Sequence, residues 1–111
     1  MVFFIYILRC YRDPNDRSNN KHKFYYYKGY TNNIKRRYLE HKQGSSKYTK
    51  RYKGRVEVVY LEIIKDKNRK VERTRSIRRE LQIKKWSRTK IEQVIKLKQQ
   101  KIKELINTYL F

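Results

Sequence analysis

The chain alternates three apolar runs with three stretches whose apolar positions recur at helical spacing. Val2–Cys10 (VFFIYILRC) is apolar at almost every position and rich in residues that favour pleated backbone, which predicts a strand covered on both faces. Phe24–Thr31 is dominated by aromatics and predicts a second strand, and Val56–Ile64 (VEVVYLEII) predicts a third. Alternation along the third places Val56, Val58, Tyr60 and Ile64 on one face and Val59, Leu61 and Ile63 on the other. Residues 11–23 (YRDPNDRSNNKHK) carry the only proline together with Asp, Asn and Ser, so they read as an exposed turn. The first two strands then form an antiparallel hairpin with a long tip. His22 lies in that tip among lysines and is expected to be solvated.

Thr31, Asn32 and Asn33 offer side-chain oxygens to orphan N–H groups, so a helix should begin near Ile34, and Gly44 can close it in the left-handed conformation. At about 100° per residue, Ile34, Arg37, Tyr38 and His41 share one arc, with Leu39 outside it. The sheet should cover that arc. A guanidinium and an imidazole on it require either a buried polar network or an anionic ligand. Residues 71–86 (VERTRSIRRELQIKKW) predict a second helix, with Glu80 inside an arc of Ile77, Leu81 and Ile83. Lys84, one turn on, can answer that carboxylate as an ordinary ion pair; a bound divalent cation is the other reading. Glu72 lies in the first turn, where the helix dipole already explains a carboxylate. A last helix over about 89–109 opens on the capping-box spacing of Thr89 and Glu92. Its stripe of Ile91, Val94, Ile95, Ile102, Leu105, Ile106 and Tyr109 can pack on the sheet or support a homodimer.

The fold expected is of the α/β class: a three-stranded antiparallel sheet flanked by helices, with an additional C-terminal helix. A length of 111 residues suits one domain over 1–111, and no repeat or linker divides it. A mean hydropathy of -1.09 approaches that of disordered chains, but 11 tyrosines and the periodic Ile, Val and Leu positions argue for a core.

Charge narrows the partner. Lys and Arg number 31 against 10 Asp and Glu, a formal net charge of +21 that repels itself unless a polyanion absorbs it. The basic residues are spread along the whole chain, which favours nucleic acid over an anionic membrane surface. Residues 45–55 (SSKYTKRYKGR) set Tyr48 and Tyr52 among cations, a composition suited to phosphate contact with stacking of a base or sugar; a plain solvated loop is the alternative. Lys28, Lys47, Tyr48, Lys50, Arg51 and Lys84 are the expected nucleic-acid contacts. Cys10 is the only cysteine, so no internal disulfide forms, and two histidines are too few for a zinc module. The apolar run at residues 2–8 is too short for a membrane span or a signal-peptide core, so the expectation is a soluble intracellular protein, in cytoplasm or nucleus.

Tyr6 shares its face with Phe4 and Leu8, so its phenol either finds a hydrogen-bond partner in the core, the commoner case for a lone tyrosine, or opens into a cleft. Phe4-Ile5-Tyr6, with Phe for the first Gly, and Tyr27-Lys28-Gly29, with Lys for Ile, are followed by Arg37 ten residues after Tyr27, His41 four further on, and Glu80 in RRELQIKKWSR. In that order and spacing the residues resemble the GIY-YIG nuclease family over about residues 3–88. The likeness is nearest to the small stand-alone subfamily, similar to structure-specific endonuclease catalytic domains, where SKYT and IKKWSR also recur.

The resemblance implies a divalent-metal-dependent DNA endonuclease with Tyr6, Tyr27, Arg37, His41 and Glu80 at its catalytic site. Glu80 would bind a single Mg²⁺ or Mn²⁺. Tyr6 would take or relay a proton from water, for which a phenol of pKa near about 10 must be depressed by nearby cations. Arg37 would neutralise charge on the phosphate, His41 would accept or pass on the proton, and Tyr27 would hold phosphate or water in line. Branched or otherwise structured DNA, a specific site and RNA are all open as substrates, with DNA repair or recombination as the setting. Two other classes share the charge: a non-catalytic nucleic-acid-binding module, and an accessory subunit whose C-terminal helix docks a protein partner that supplies specificity.

Overall fold

A computed structural model describes residues 2–15 and 22–111. Its strands are β1 (Phe3–Tyr11), β2 (Phe24–Thr31) and β3 (Val56–Ile64), and its helices are α1 (Ile34–Gln43), α2 (Arg69–Lys84), α3 (Arg88–Leu97) and α4 (Gln99–Leu110). The strands pair antiparallel in the order β2-β1-β3. β1 is therefore central, which is why its sequence is apolar at both parities. Phe4, Tyr6, Leu8 and Cys10 pack with Ile34 of α1 and Leu110 of α4, while Ile5 and Ile7 pack with Ile83 of α2 and with Ile91 and Val94 of α3. Helices thus cover both faces of the three-stranded sheet, as the hydrophobic pattern predicts. The expected exposed tip falls partly on residues 16–21, outside the described residues; Pro14, Asn15, His22 and Lys23 beside it are exposed.

Local signals place α1 well. The Asn33 side chain accepts from the Arg36 N–H at 3.1 Å, and Gly44 ends the helix at φ 79°, a conformation that costs glycine little. Buried Cys10 has its thiol pushed up to about 11 by desolvation, the state of an inert core residue.

Three expectations need correction. In β3, Tyr60 pairs with Ile7 and Val58 pairs with Leu8, so Val59 is an extra residue in the strand. That bulge reverses the alternation beyond it, sending Leu61 and Ile63 to the face of Val56 and Val58, and Tyr60 and Ile64 to the face of Val59. In α2 the buried residues are Glu72, Ser76, Glu80 and Ile83, whereas Ile77 and Leu81 are 37% and 54% exposed. Polar ties set this rotation: the Arg79 guanidinium forks onto Glu62 of β3 at 2.8 and 2.9 Å, and Glu72 accepts the Asp66 N–H at 2.9 Å. Glu72 is thereby a buried partner of the preceding turn and not merely a carboxylate near the helix dipole. The last helix, finally, is two helices broken at Lys98, and Ser87 is the N-cap of α3, accepting the Lys90 N–H at 3.1 Å in place of the Thr89 and Glu92 box. Its stripe serves both cores: Ile102 packs with the Ile5 cluster, while Tyr109 meets the Phe4 ring edge-on at 5.0 Å. α4 therefore crosses the outer edge of β3, which an exposed edge strand needs covered.

Truncation of fully buried Ile7 to alanine should lower stability by about 2–5 kcal/mol. Leu97→Ala, at a residue 84% exposed, should change it by less than about 0.5 kcal/mol. Urea unfolding of both variants measures the contrast.

Candidate active site

β2 is an edge strand, and a cleft of about 500 Å³ wraps around that edge. Residues of both parities line it: Tyr26, Lys28 and Tyr30 from one face of β2, Tyr27 and Gly29 from the other. Helices on opposite sides of the sheet complete the lining, with Arg37 from α1 and with Glu80 and Lys84 from α2. Tyr6, on the central strand, enters from beneath.

Gly29 is what lets it through. The two residues are register partners, and a Cβ at position 29 would lie 2.6 Å from the Tyr6 hydroxyl oxygen and 2.7 Å from Cζ. The phenol occupies the space that any other residue's side chain would fill. Its hydroxyl then meets two groups from α1: Arg37 Nε donates to it at 3.4 Å, and His41 Nε2 lies 2.9 Å away. With Tyr6 Oη accepting from Arg37, we assign its own proton to His41 Nε2, the tautomer in which Nε2 is the unprotonated ring nitrogen. His41 Nδ1 then carries the hydrogen and donates to Thr49 Oγ1 at 2.6 Å.

Burial sets the electrostatics. Desolvation, opposed by the Arg37 hydrogen bond, pushes the Tyr6 phenol up to about 12. This corrects the expectation that nearby cations depress it: burial outweighs them, and Tyr6 is a neutral phenol at physiological pH. Burial first, and the Arg37 charge second, lower His41 to about 4, so the imidazole is neutral too. Tyr27 is also raised by desolvation.

Of the residues the sequence singles out, Tyr6, Tyr27, Arg37 and Glu80 line the one cleft, and His41 sits behind it, fully buried against Tyr6. The Tyr27 ring lies 5.1 Å from His41 and stacks on Tyr48 at 6.0 Å. Among the expected nucleic-acid contacts, Tyr48 and Lys84 line the cleft, and Lys47, Lys50 and Arg51 are exposed on the neighbouring segment. Lys28 lines it as well, but its ammonium donates to the carbonyls of Lys84 at 3.2 Å and Trp86 at 3.0 Å. It thus caps the C-terminal end of α2 and ties the helix that bears Glu80 to the edge strand.

Glu80 is 7% exposed, and its Oε1 receives the Lys84 ammonium at 2.7 Å. Among the described residues no group of three or more His, Cys, Asp or Glu is gathered for a metal. The donor set nonetheless fits a hard cation. Glu80 is a single carboxylate that already attracts a positive charge, and magnesium commonly takes one or two carboxylates, with water and phosphate oxygens completing the shell.

Sequence reasoning does not single out Thr49, which is 1% exposed and holds His41 Nδ1 in a hydrogen bond. It stands in a segment that reads as a basic loop, and only the sharp turn at Gly44, which returns the chain along α1, brings it to the imidazole. Tyr26 and Tyr30 were likewise unassigned, since their access to the cleft follows from β2 being an edge.

With this geometry established, the chain belongs to the GIY-YIG catalytic domain family, whose model matches residues 2–94. Comparison with curated proteins and with solved structures returned no match. Domains of this family are nucleases and generally depend on divalent metals, which makes nucleic acid the substrate class. No helix among the described residues is long and apolar enough to cross a membrane. α4 lies beyond the matched region.

Two outcomes follow for His41. The folded imidazole resists protonation down to about 4, while an unfolded chain takes the proton near 6.5. Its stabilising contribution is therefore complete above pH 6.5 and is lost as pH falls towards 4, by about 3 kcal/mol in all. In urea unfolding, the stability advantage of wild type over His41→Asn should shrink by that amount between pH 7 and pH 4. Thr49→Val removes the acceptor of the Nδ1 hydrogen, so ¹⁵N NMR should report a shift towards the Nε2–H tautomer, with Thr49→Ser keeping the wild-type spectrum.

Proposed function

We propose that this protein is a divalent-metal-dependent DNA endonuclease, hydrolysing phosphodiester bonds with Tyr6 relaying the proton of the attacking water and Glu80 holding the metal. The observation that carries this reading is the meeting of Arg37 and His41 on one tyrosine hydroxyl, at the floor of a cleft that Glu80 also lines. Burying His41 and Glu80 is costly in a purely structural role, and with Arg37 they match the needs of phosphodiester hydrolysis.

A bound Mg²⁺ or Mn²⁺ would polarise the scissile phosphate and offset charge on the departing 3′ oxygen. Tyr6, neutral and hydrogen-bonded to His41, serves as a relay: as its hydroxyl oxygen takes a proton from water, its own proton passes to His41 Nε2. Substrate assists this transfer. An anionic phosphodiester beside Arg37 offsets the charge that, after burial, holds the imidazole pKa down. Arg37 neutralises charge gathering on the phosphate oxygens, and Tyr27 holds the phosphate or water in line. Lys47, Lys50, Arg51 and Lys84 add sequence-independent attraction to the strand, consistent with a net charge of +21 and with binding that weakens steeply in salt.

Cleavage of plasmid, nicked and branched DNA in Mg²⁺ tests the assignment. Glu80→Ala should lose at least roughly a hundredfold in rate, and Tyr6→Phe should lose about 10²–10⁴ while DNA binding persists. Equal metal-dependent cutting by wild type and Glu80→Ala would remove Glu80 from the mechanism.

A further inference from the structure

Tyr48 is the only large apolar side chain that is both strongly exposed, at 61%, and part of the cleft lining, among the described residues. It is not a loose surface ring. Its inner face stacks on Tyr27 with an interplanar angle of 25°, and the next residue, Thr49, is 1% exposed and bound to His41. The backbone on either side is tied as well, with the Thr49 N–H on the Ser46 carbonyl at 3.2 Å and the Tyr52 N–H on the Thr49 carbonyl at 2.8 Å. A planar ring held by a buried anchor and largely exposed at the mouth of the cleft, where its solvent contact is shared with the Lys47 ammonium, is a preorganised stacking platform.

Resting on the nuclease reading above, we propose that Tyr48 takes an unpaired nucleobase adjacent to the scissile phosphate, so that the preferred substrate contains single-stranded or unstacked nucleotides and not continuous duplex. A base inside a duplex is covered on both faces by its neighbours, so only a base that has left the helical stack can cover the tyrosine. The Tyr27 ring ties the platform to the site: it stacks on Tyr48 and also approaches the His41 ring at 5.1 Å. A base stacked on Tyr48 therefore sets the position of its own phosphate relative to Tyr27 and Arg37. The Lys47 ammonium lies over the Tyr48 ring, 5.1 Å from its centre, so an incoming base takes the place of that cation, which then meets the neighbouring phosphate. This makes Tyr48 a specificity determinant, acting on which nucleic acid is accepted and not on the bond that breaks.

The test separates stacking from cleavage. DNA oligonucleotides with 2-aminopurine in a single-stranded arm, bound in EDTA so that no bond is cut, should be quenched by wild type and by Tyr48→Trp but not by Tyr48→Leu. In Mg²⁺, Tyr48→Leu should raise KM on the single-stranded or branched substrate by roughly tenfold to a hundredfold, with a smaller change on blunt duplex. Quenching by wild type without cleavage would leave the stacking site in place and overturn only the nuclease reading. Equal quenching by wild type and Tyr48→Leu, or an unchanged preference between single-stranded and duplex DNA, would overturn the role of Tyr48.

Discussion

The site exists because the second residue of a cross-strand pair has no side chain. Tyr6 belongs to the middle of the sheet, where a phenol would ordinarily be sealed in, and Gly29 leaves its ring a path towards the open edge of β2. From that path the hydroxyl reaches Arg37 and His41, and the cleft gathers groups from both helical layers. An edge strand usually needs protection from unwanted pairing. Here α4 covers the β3 edge, and the β2 edge carries the candidate site.

Burial of the Tyr6–His41–Thr49 chain has a chemical consequence. A phenol raised to about 12 and an imidazole lowered to about 4 are both neutral over the whole physiological range. The hydrogen-bonded chain is therefore set to move a proton without holding a charge at rest, and the charges that drive it must come from outside the chain. In the proposed reaction Arg37, Glu80 and substrate phosphate would supply them, which would couple proton transfer to substrate arrival.

Much of the fold was legible because local chemistry and tertiary demand agree. Asn33, Gly44 and the doubly apolar β1 run each state their structure plainly, and Ile34, Arg37, Tyr38 and His41 fall on the inner arc of α1 as periodicity requires. The misreadings arise where a distant contact overrides the local pattern. A bulge at Val59 cannot be inferred from alternation, because one inserted residue leaves composition unchanged while reversing the faces beyond it. Polar ties from Arg79 and Glu72 turn α2, so of the arc of Ile77, Glu80, Leu81 and Ile83 the pair Glu80 and Ile83 stays buried while Ile77 and Leu81 swing outward. At the site, the spacing of Tyr6, Tyr27, Arg37, His41 and Glu80 was readable as a pattern. Thr49 was not, since its partner lies across a glycine turn, and neither was the direction of the Tyr6 pKa, which depends on how deeply the ring is enclosed.

The central claim is that this sheet edge brings a carboxylate, a guanidinium and a phenol to one phosphate. Anomalous diffraction from crystals of the protein with Mn²⁺ and a phosphorothioate DNA oligonucleotide tests it most directly. The account predicts a manganese peak on the Glu80 carboxylate, with a backbone phosphate between it and Arg37 and the Tyr6 hydroxyl facing that phosphate. Manganese and phosphate located away from Glu80, with the Glu80–Lys84 pair still closed, would contradict it.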